Sequence, residues 1–221
     1  MFWVVIEGID RAGKTTLGSA LARKIVEQEQ ISAKYSHVFD TPVGKQLRQI
    51  FLENNSLDGL TETLILSAAR SAYVAKFIHS QPYDIVITDR FFDSIRSMQC
   101  LGAPQLDELV ERVARILDST APSPDLVLLL DVSPEVLASS SGDSRPPDRI
   151  EALSPSFHER VRQQFLRIAH NNPRYVTLDA GMRAQTVFEM ALRTILKRYY
   201  LKQKPDQVSY SKQFSLLCSN E

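Results

Sequence analysis

The chain has 221 residues, enough for one well-buried α/β domain and too few for two comfortable ones. Lys+Arg and Asp+Glu balance at 26 each, which excludes a global field that would hold nucleic acid or an anionic membrane nonspecifically, so any phosphate affinity must be local. The two cysteines, Cys100 and Cys218, lie far apart without metal-binding spacing, which suits free thiols in a reducing compartment.

The first predicted element is an apolar strand, Trp3 to Ile6, that runs straight into Gly8-Ile9-Asp10-Arg11-Ala12-Gly13-Lys14-Thr15 and then Thr16. This fits the phosphate-binding pattern GxxxxGK[ST], in the strand-then-helix context that gives the pattern its meaning. Glycines let main-chain amides close on a polyphosphate, Lys14 supplies a mobile charge to its β/γ oxygens, and the Thr15 hydroxyl suits Mg²⁺. No basic segment precedes the strand and Glu7 interrupts it, so neither a leader nor a membrane span is expected and a cytoplasmic protein is.

Leu17, Ala20, Leu21 and Ile25 recur at helical spacing and predict a helix ending near Gln30. A short strand follows over Ala33 to Val38. The turn Thr41-Pro42-Val43-Gly44 then opens a helix with Leu47, Ile50 and Phe51 expected inward. From Leu60 to His79 the pattern is helical throughout, with Leu64, Ala68, Ala72, Ala75 and Ile78 near one stripe and a turn at Pro82. Asp84 to Thr88 reads as a strand buried on both faces, and Asp89-Arg90 sits where it stops. An aspartate there can hold Mg²⁺ through water or orient a hydroxyl, and the arginine can neutralise phosphoryl charge. Leu106 to Ile116 predicts an amphipathic helix, Asp125 to Val132 a fourth strand, and Ser139 to Pro147 a polar loop. A helix carrying Phe157, Val161, Phe165 and Ile168, a strand over Tyr175 to Leu178 and a helix to about Lys202 complete the chain. Five strands alternating with helices predict an α/β, three-layer P-loop fold, a parallel sheet with helices on both faces and the site at the strands' carboxyl ends. One domain is expected over 1–203, with a mobile lid at about 139–151 and a polar tail over 204–221.

Taken in order, EGIDRAGKTT, DTPVGKQLRQIFLE, LTETLILSAAR, ITDRFFDS followed by Gln99, and DRIEALSPSFHERVRQQF resemble the thymidylate kinase family from about Phe2 to about Gly181. The resemblance implies transfer of phosphate from ATP to dTMP with Mg²⁺, in a homodimer joined through helix faces around Leu60 to Ala75 and Leu106 to Ile116. It implies that Gly8 to Thr16 hold the ATP phosphates, with Arg149 of the lid near the adenine. Asp10, Arg11, Lys14 and Arg90 then surround the transferring group, and Thr15 and Asp89 take the metal. Arg48, Leu66, Arg70, Asp89, Arg90, Ser94 and Gln99 fall on the acceptor side.

Departures from the family pattern cluster on that acceptor side. Ser36-His37-Val38-Phe39-Asp40 replaces the usual REPGG stretch, and His37 stands there either as a substitute for its acidic residue or as a bystander on a strand edge. Leu66 occupies the place of a base-stacking phenylalanine, Phe91 that of a tyrosine, and Met98 that of an aromatic under the deoxyribose. A stacked ring is worth about 1–3 kcal/mol, so the phosphate grip is expected to be intact while the acceptor base stays open. A nonenzymatic nucleotide-binding module is the alternative, but a guanine switch would need an NKxD element, which the sequence lacks.

Overall fold

In a computed structural model that describes residues 1–80, 83–99, 104–139 and 146–203, the apolar run at the start becomes β1, Phe2–Glu7, with all six residues buried. Side chains along a strand alternate faces, and β1 shows both. Phe2 meets the ring of Tyr199 edge-on and Ile6 approaches Gly18, whereas Trp3 packs against Phe91 at 4.6 Å and Glu7 bonds Ser94. Burial of a strand on both faces requires a helical layer on each side.

The other strands are β2 (Ala33–His37), β3 (Ile85–Asp89), β4 (Leu126–Asp131) and β5 (Tyr175–Asp179), paired in parallel in the order β2-β3-β1-β4-β5. One face carries α1 (Lys14–Glu29) and α8 (Ala184–Gln203), and the other carries α3 (Gly59–Tyr73), α4 (Phe92–Gln99) and α7 (Pro155–Ala169), with α5 (Pro104–Asp118) against α3 and α4. The helix α2 (Pro42–Glu53) lies on α3, and α6 (Pro134–Ser139) is a short helix after β4. The predicted fold class and strand count therefore hold. Leaving β3 on one side of β1, the chain returns as β4 on the other, so the loops at the carboxyl end of β1 diverge and open a crevice.

Polar groups inside the sandwich are bonded to one another. The indole of Trp3 donates to Thr88 Oγ1 at 2.7 Å, Thr88 meets the Tyr73 hydroxyl at 2.9 Å, and Tyr73 meets Ser36 Oγ at 2.7 Å. A buried hydroxyl left alone costs about 1–3 kcal/mol, so this chain fixes the pairing of β1, β2, β3 and α3.

Several expectations are corrected. Helix α3 ends in a π-helical turn over Val74–Ile78, and its core face is Thr63, Leu66, Ser67, Ala69, Arg70 and Tyr73. Leu64 is 50 % exposed, and Ala68 and Ala75 also face outward. Ile50 and Ile116 likewise point to solvent, at 46 % and 64 %. The short helix α4, just after Asp89-Arg90, was not expected. Pro82, Cys100, lid residues 140–145 and the tail 204–221 lie outside the described residues, as does the side chain of Gln99. No helix among the described residues is long and apolar enough to cross a membrane.

Candidate active site

The turn after β1 is built by conformation. Gly8, Arg11 and Gly13 all take positive φ, at 142°, 63° and 87°. At Gly8 a Cβ would sit 2.6 Å from the Leu130 carbonyl oxygen, so the loop can pass β4 only as glycine. Switching between right- and left-handed backbone turns successive amides toward one concavity at the amino end of α1. Lys14 opens that helix, 6 % exposed, and its Nζ folds back to donate to the carbonyls of Ile9 at 2.6 Å and Gly8 at 3.2 Å. Burial beside Arg90 lowers the Lys14 pKa to about 8.

Opposite this loop stands the end of β3. Asp89 Oδ2 accepts from Thr15 Oγ1 at 2.9 Å and from the Tyr35 hydroxyl at 2.7 Å, while Oδ1 is buried with no hydrogen-bond partner. Arg90, at φ 62°, donates to Asp10 Oδ1 at 2.6 Å and to Ser94 Oγ at 3.0 Å. The second oxygen of Asp10 is also buried and unbonded. Burial opposes ionisation of both aspartates, but Arg90 and Lys14 more than offset it and hold both carboxyls below the usual range. Two anions and two cations thus meet at the loop, each aspartate with one oxygen in hand.

Beneath them lies Glu7, which the sequence presents only as a charge interrupting an apolar strand. It is fully buried, accepting from the Phe91 amide at 2.7 Å and from Ser94 Oγ at 2.6 Å. Burial raises its pKa, against the pull of Arg90. Glu7 therefore ties the turn after β3 to the end of β1 and aims Arg90. Arg70 of α3 joins from the side, with Nε on the Phe91 carbonyl at 2.9 Å and a terminal nitrogen on the Leu66 carbonyl at 3.0 Å. Burial lowers its pKa to about 10, which leaves it cationic at neutral pH.

These groups share one cleft of ≈ 950 Å³. Asp10, Arg11, Gly13, Lys14, Thr15, Thr16, Arg48, Leu66, Arg70, Asp89, Arg90 and Ser94 all line it, so most of the sequence-predicted residues come together. Gly8, Ile9 and Ala12 shape the loop from behind. Arg149 does not line the cleft: it donates to the Phe51 carbonyl at 2.9 Å, lies 4.4 Å over the Phe51 ring and sits 2.6 Å from Glu62, close enough for an ion pair but not aligned as a hydrogen bond. Its neighbour Glu151 does reach the loop, 3.4 Å from Arg11.

Among the lining residues that carry no role from the sequence reading are Tyr35, Phe39 and, left open there, His37. His37 Nδ1 accepts from the Phe39 amide at 3.2 Å, which puts the ring proton on Nε2, and the two rings stack 19° from parallel at 5.1 Å. Burial beside two arginines lowers the His37 pKa to about 4, so it is neutral. The sequence singles out His37 alone and gives no sign that it and Tyr35 line the cleft; Ser36, between them, is buried on the opposite face.

Comparison with known proteins places the chain in one family. The thymidylate kinase family model matches residues 6–191. The thymidylate kinase of Cupriavidus pinatubonensis is 34% identical over 190 residues, covering 84% of this chain and 93% of that protein. Those of Paraburkholderia xenovorans and Latilactobacillus sakei are 34% and 33% identical, over 86% and 87% of this chain and 94% of each relative's length in the first case and 93% in the second.

Proposed function

Since the chain belongs to the thymidylate kinase family, we propose that it transfers the γ-phosphate of ATP to dTMP, giving ADP and dTDP, inside the cleft between the Gly8–Thr15 loop and the end of β3. The observation that carries the reading is the gathering of cationic groups in one crevice: Lys14 at the loop, Arg90 bonded to Asp10 of that loop, and Arg70 beside them. Phosphoryl transfer between two polyanions asks a protein for alignment and charge compensation, with little covalent work.

Lys14 leaves the Gly8 and Ile9 carbonyls to meet the β and γ oxygens of ATP, and the amides at the start of α1 hold the remaining phosphate charge. Arg90, braced by Asp10 and Glu7 through Ser94, receives the acceptor phosphate, and Arg11 covers the group in transit. Arg48 and Arg70 lie along the acceptor's side, and Leu66, Phe39 and Met98 offer the apolar wall for its base. The segment from Ser139 to Glu151 acts as a lid that excludes competing water, with Glu151 on Arg11 as its contact with the loop. When it closes, Arg149 exchanges Phe51 and Glu62 for the adenine.

Magnesium fits the donor set. No cluster of three or more metal-binding side chains exists among the described residues, and Mg²⁺ bound with substrate phosphates needs only one or two protein oxygens. Thr15 Oγ1 and the unbonded Asp89 Oδ1 would supply them, and the ion would neutralise phosphate charge.

A second copy of the chain completes the molecule. Leu60, Leu64 and Ile116 are 39 %, 50 % and 64 % exposed on α3 and α5, which pack side by side, and a homodimer through these helices would cover them. A coupled ADP-release assay with MgATP against dTMP, dUMP, UMP, CMP, dGMP and thymidine tests the function. The highest kcat/KM should belong to dTMP, and Lys14→Ala should abolish turnover of every acceptor; no turnover with any of the six would refute the reading.

A further inference from the structure

Asp89 presents an asymmetric carboxylate. Both of its donors, Thr15 Oγ1 at 2.9 Å and the Tyr35 hydroxyl at 2.7 Å, fall on Oδ2, and Oδ1 has none although it is buried in the wall of the cleft. A carboxylate with one donor can turn about its Cβ–Cγ bond and exchange its oxygens. Two donors from different elements, the first turn of α1 and the middle of β2, remove that freedom.

Tyr35 is held for this task. A Cβ added to Gly18 would come 2.4 Å from two of its ring carbons, so α1 carries a glycine where the ring crosses it. Its hydroxyl is the donor and the carboxylate the acceptor in the bond to Asp89. In the register of the sheet Tyr35 pairs with Ile87, two residues before Asp89, so its hydroxyl reaches along β3 toward the carboxyl edge.

We propose that Tyr35 is a positioning residue for the transfer reaction: it locks Asp89 so that Oδ1 alone faces the bound nucleotide and its Mg²⁺. The inference rests on the kinase reading of the cleft. It assigns a role to the side chain of β2 that links the nucleotide loop, through Thr15 and Gly18, to the acceptor end of β3. Partners of this kind, one step removed from a metal or reacting group, change affinity or rate by about 10–100-fold when lost.

Tyr35→Phe in the full chain keeps the ring against Gly18 and removes only the hydroxyl. Steady-state kinetics should show kcat lowered about tenfold with KM for ATP and dTMP within about twofold. Calorimetric titration of ATP should match the unsubstituted protein in EDTA, while the gain in affinity on adding Mg²⁺ shrinks by about tenfold. A merely structural role would weaken both titrations alike and overturn the proposal, as would an unchanged kcat with an unchanged Mg²⁺ gain. Lys14→Ala separates the premises. ATP binding retained in that variant overturns the reading of the cleft, and the role of Tyr35 with it. Binding lost there beside an unaltered Tyr35→Phe overturns the role of Tyr35 alone.

Discussion

Arg70 shows how one side chain serves stability and recognition together. Two of its nitrogens hold the carbonyls of Phe91 and Leu66, and the residue is 2 % exposed, yet it lines the cleft. Arg70→Ala should therefore raise KM for dTMP at least about tenfold and also cost about 1–3 kcal/mol of stability, because two buried acceptors lose a donor. A lysine there would lose the planar fork through which Nε and a terminal nitrogen reach the two carbonyls together. Initial rates at varied dTMP, with urea unfolding alongside, check both halves; an unchanged KM would remove Arg70 from the site. His37 makes a different statement. Its folded pKa of about 4 lies below the ordinary 6.5, so between those values the unfolded chain binds the proton and the folded one does not. Stability should be full above pH 6.5 and fall as pH drops toward 4, by on the order of 2–3 kcal/mol, and His37→Gln should flatten that slope in unfolding curves at pH 7 and pH 5. An identical slope in the variant would show that His37 is not the group responsible. At this scale the sequence exposes the loop, Asp89 and Arg90, whose meaning is in their spacing. Glu7 and Tyr35 stay hidden because their partners lie 84 and 54 residues away.

Helices reveal what periodicity can and cannot carry. For α2 the opening Thr41-Pro42 is a local signal: Thr41 Oγ1 accepts from the Gly44 amide at 2.8 Å, and Pro42 takes the first turn, where no donor is missed. Thr41→Ala should cost about 1 kcal/mol and disturb Arg48 on the same helix, measured as a lower urea midpoint and a raised acceptor KM. A variant with an unmoved midpoint would show that the cap carries no weight. In α3 the apolar spacing of Leu64, Ala68 and Ala75 misleads, since the core face is built from Thr63 and Ser67 bonded back to the carbonyls of Gly59 and Thr63, from Arg70, and from Tyr73. Polar residues satisfied within their own helix can be buried at little cost, and apolar ones left outside are then free for another surface. Helix α4 escaped notice for the same reason. Its apolar residues are few, Phe92 and Ile95 being buried, and Glu7 on Ser94 and the Tyr175 hydroxyl on Asp93 help fix it from a distance.

Across the whole molecule the order β2-β3-β1-β4-β5 puts the phosphate loop at the carboxyl end of the central strand, with Asp89-Arg90 beside it on β3. Alternation of strand and helix made a parallel sheet with its site at the carboxyl ends legible, because parallel strands need helical crossovers; the strand order, and with it the central place of β1, is given by the pairing alone. The exposed leucines of α3 belong to this scale as well. Leu64→Glu should leave the chain folded and convert a dimer into a monomer in sedimentation experiments, whereas an unsubstituted protein that is already monomeric would refute the proposed interface. The central claim, that one cleft grips two phosphate esters face to face, is tested most directly by equilibrium binding of adenosine and thymidine joined through five phosphates. The account predicts one molecule bound per chain, displaced by ATP alone and by dTMP alone, and not retained by Lys14→Ala; binding that persists with ATP and dTMP both present at saturation would contradict it.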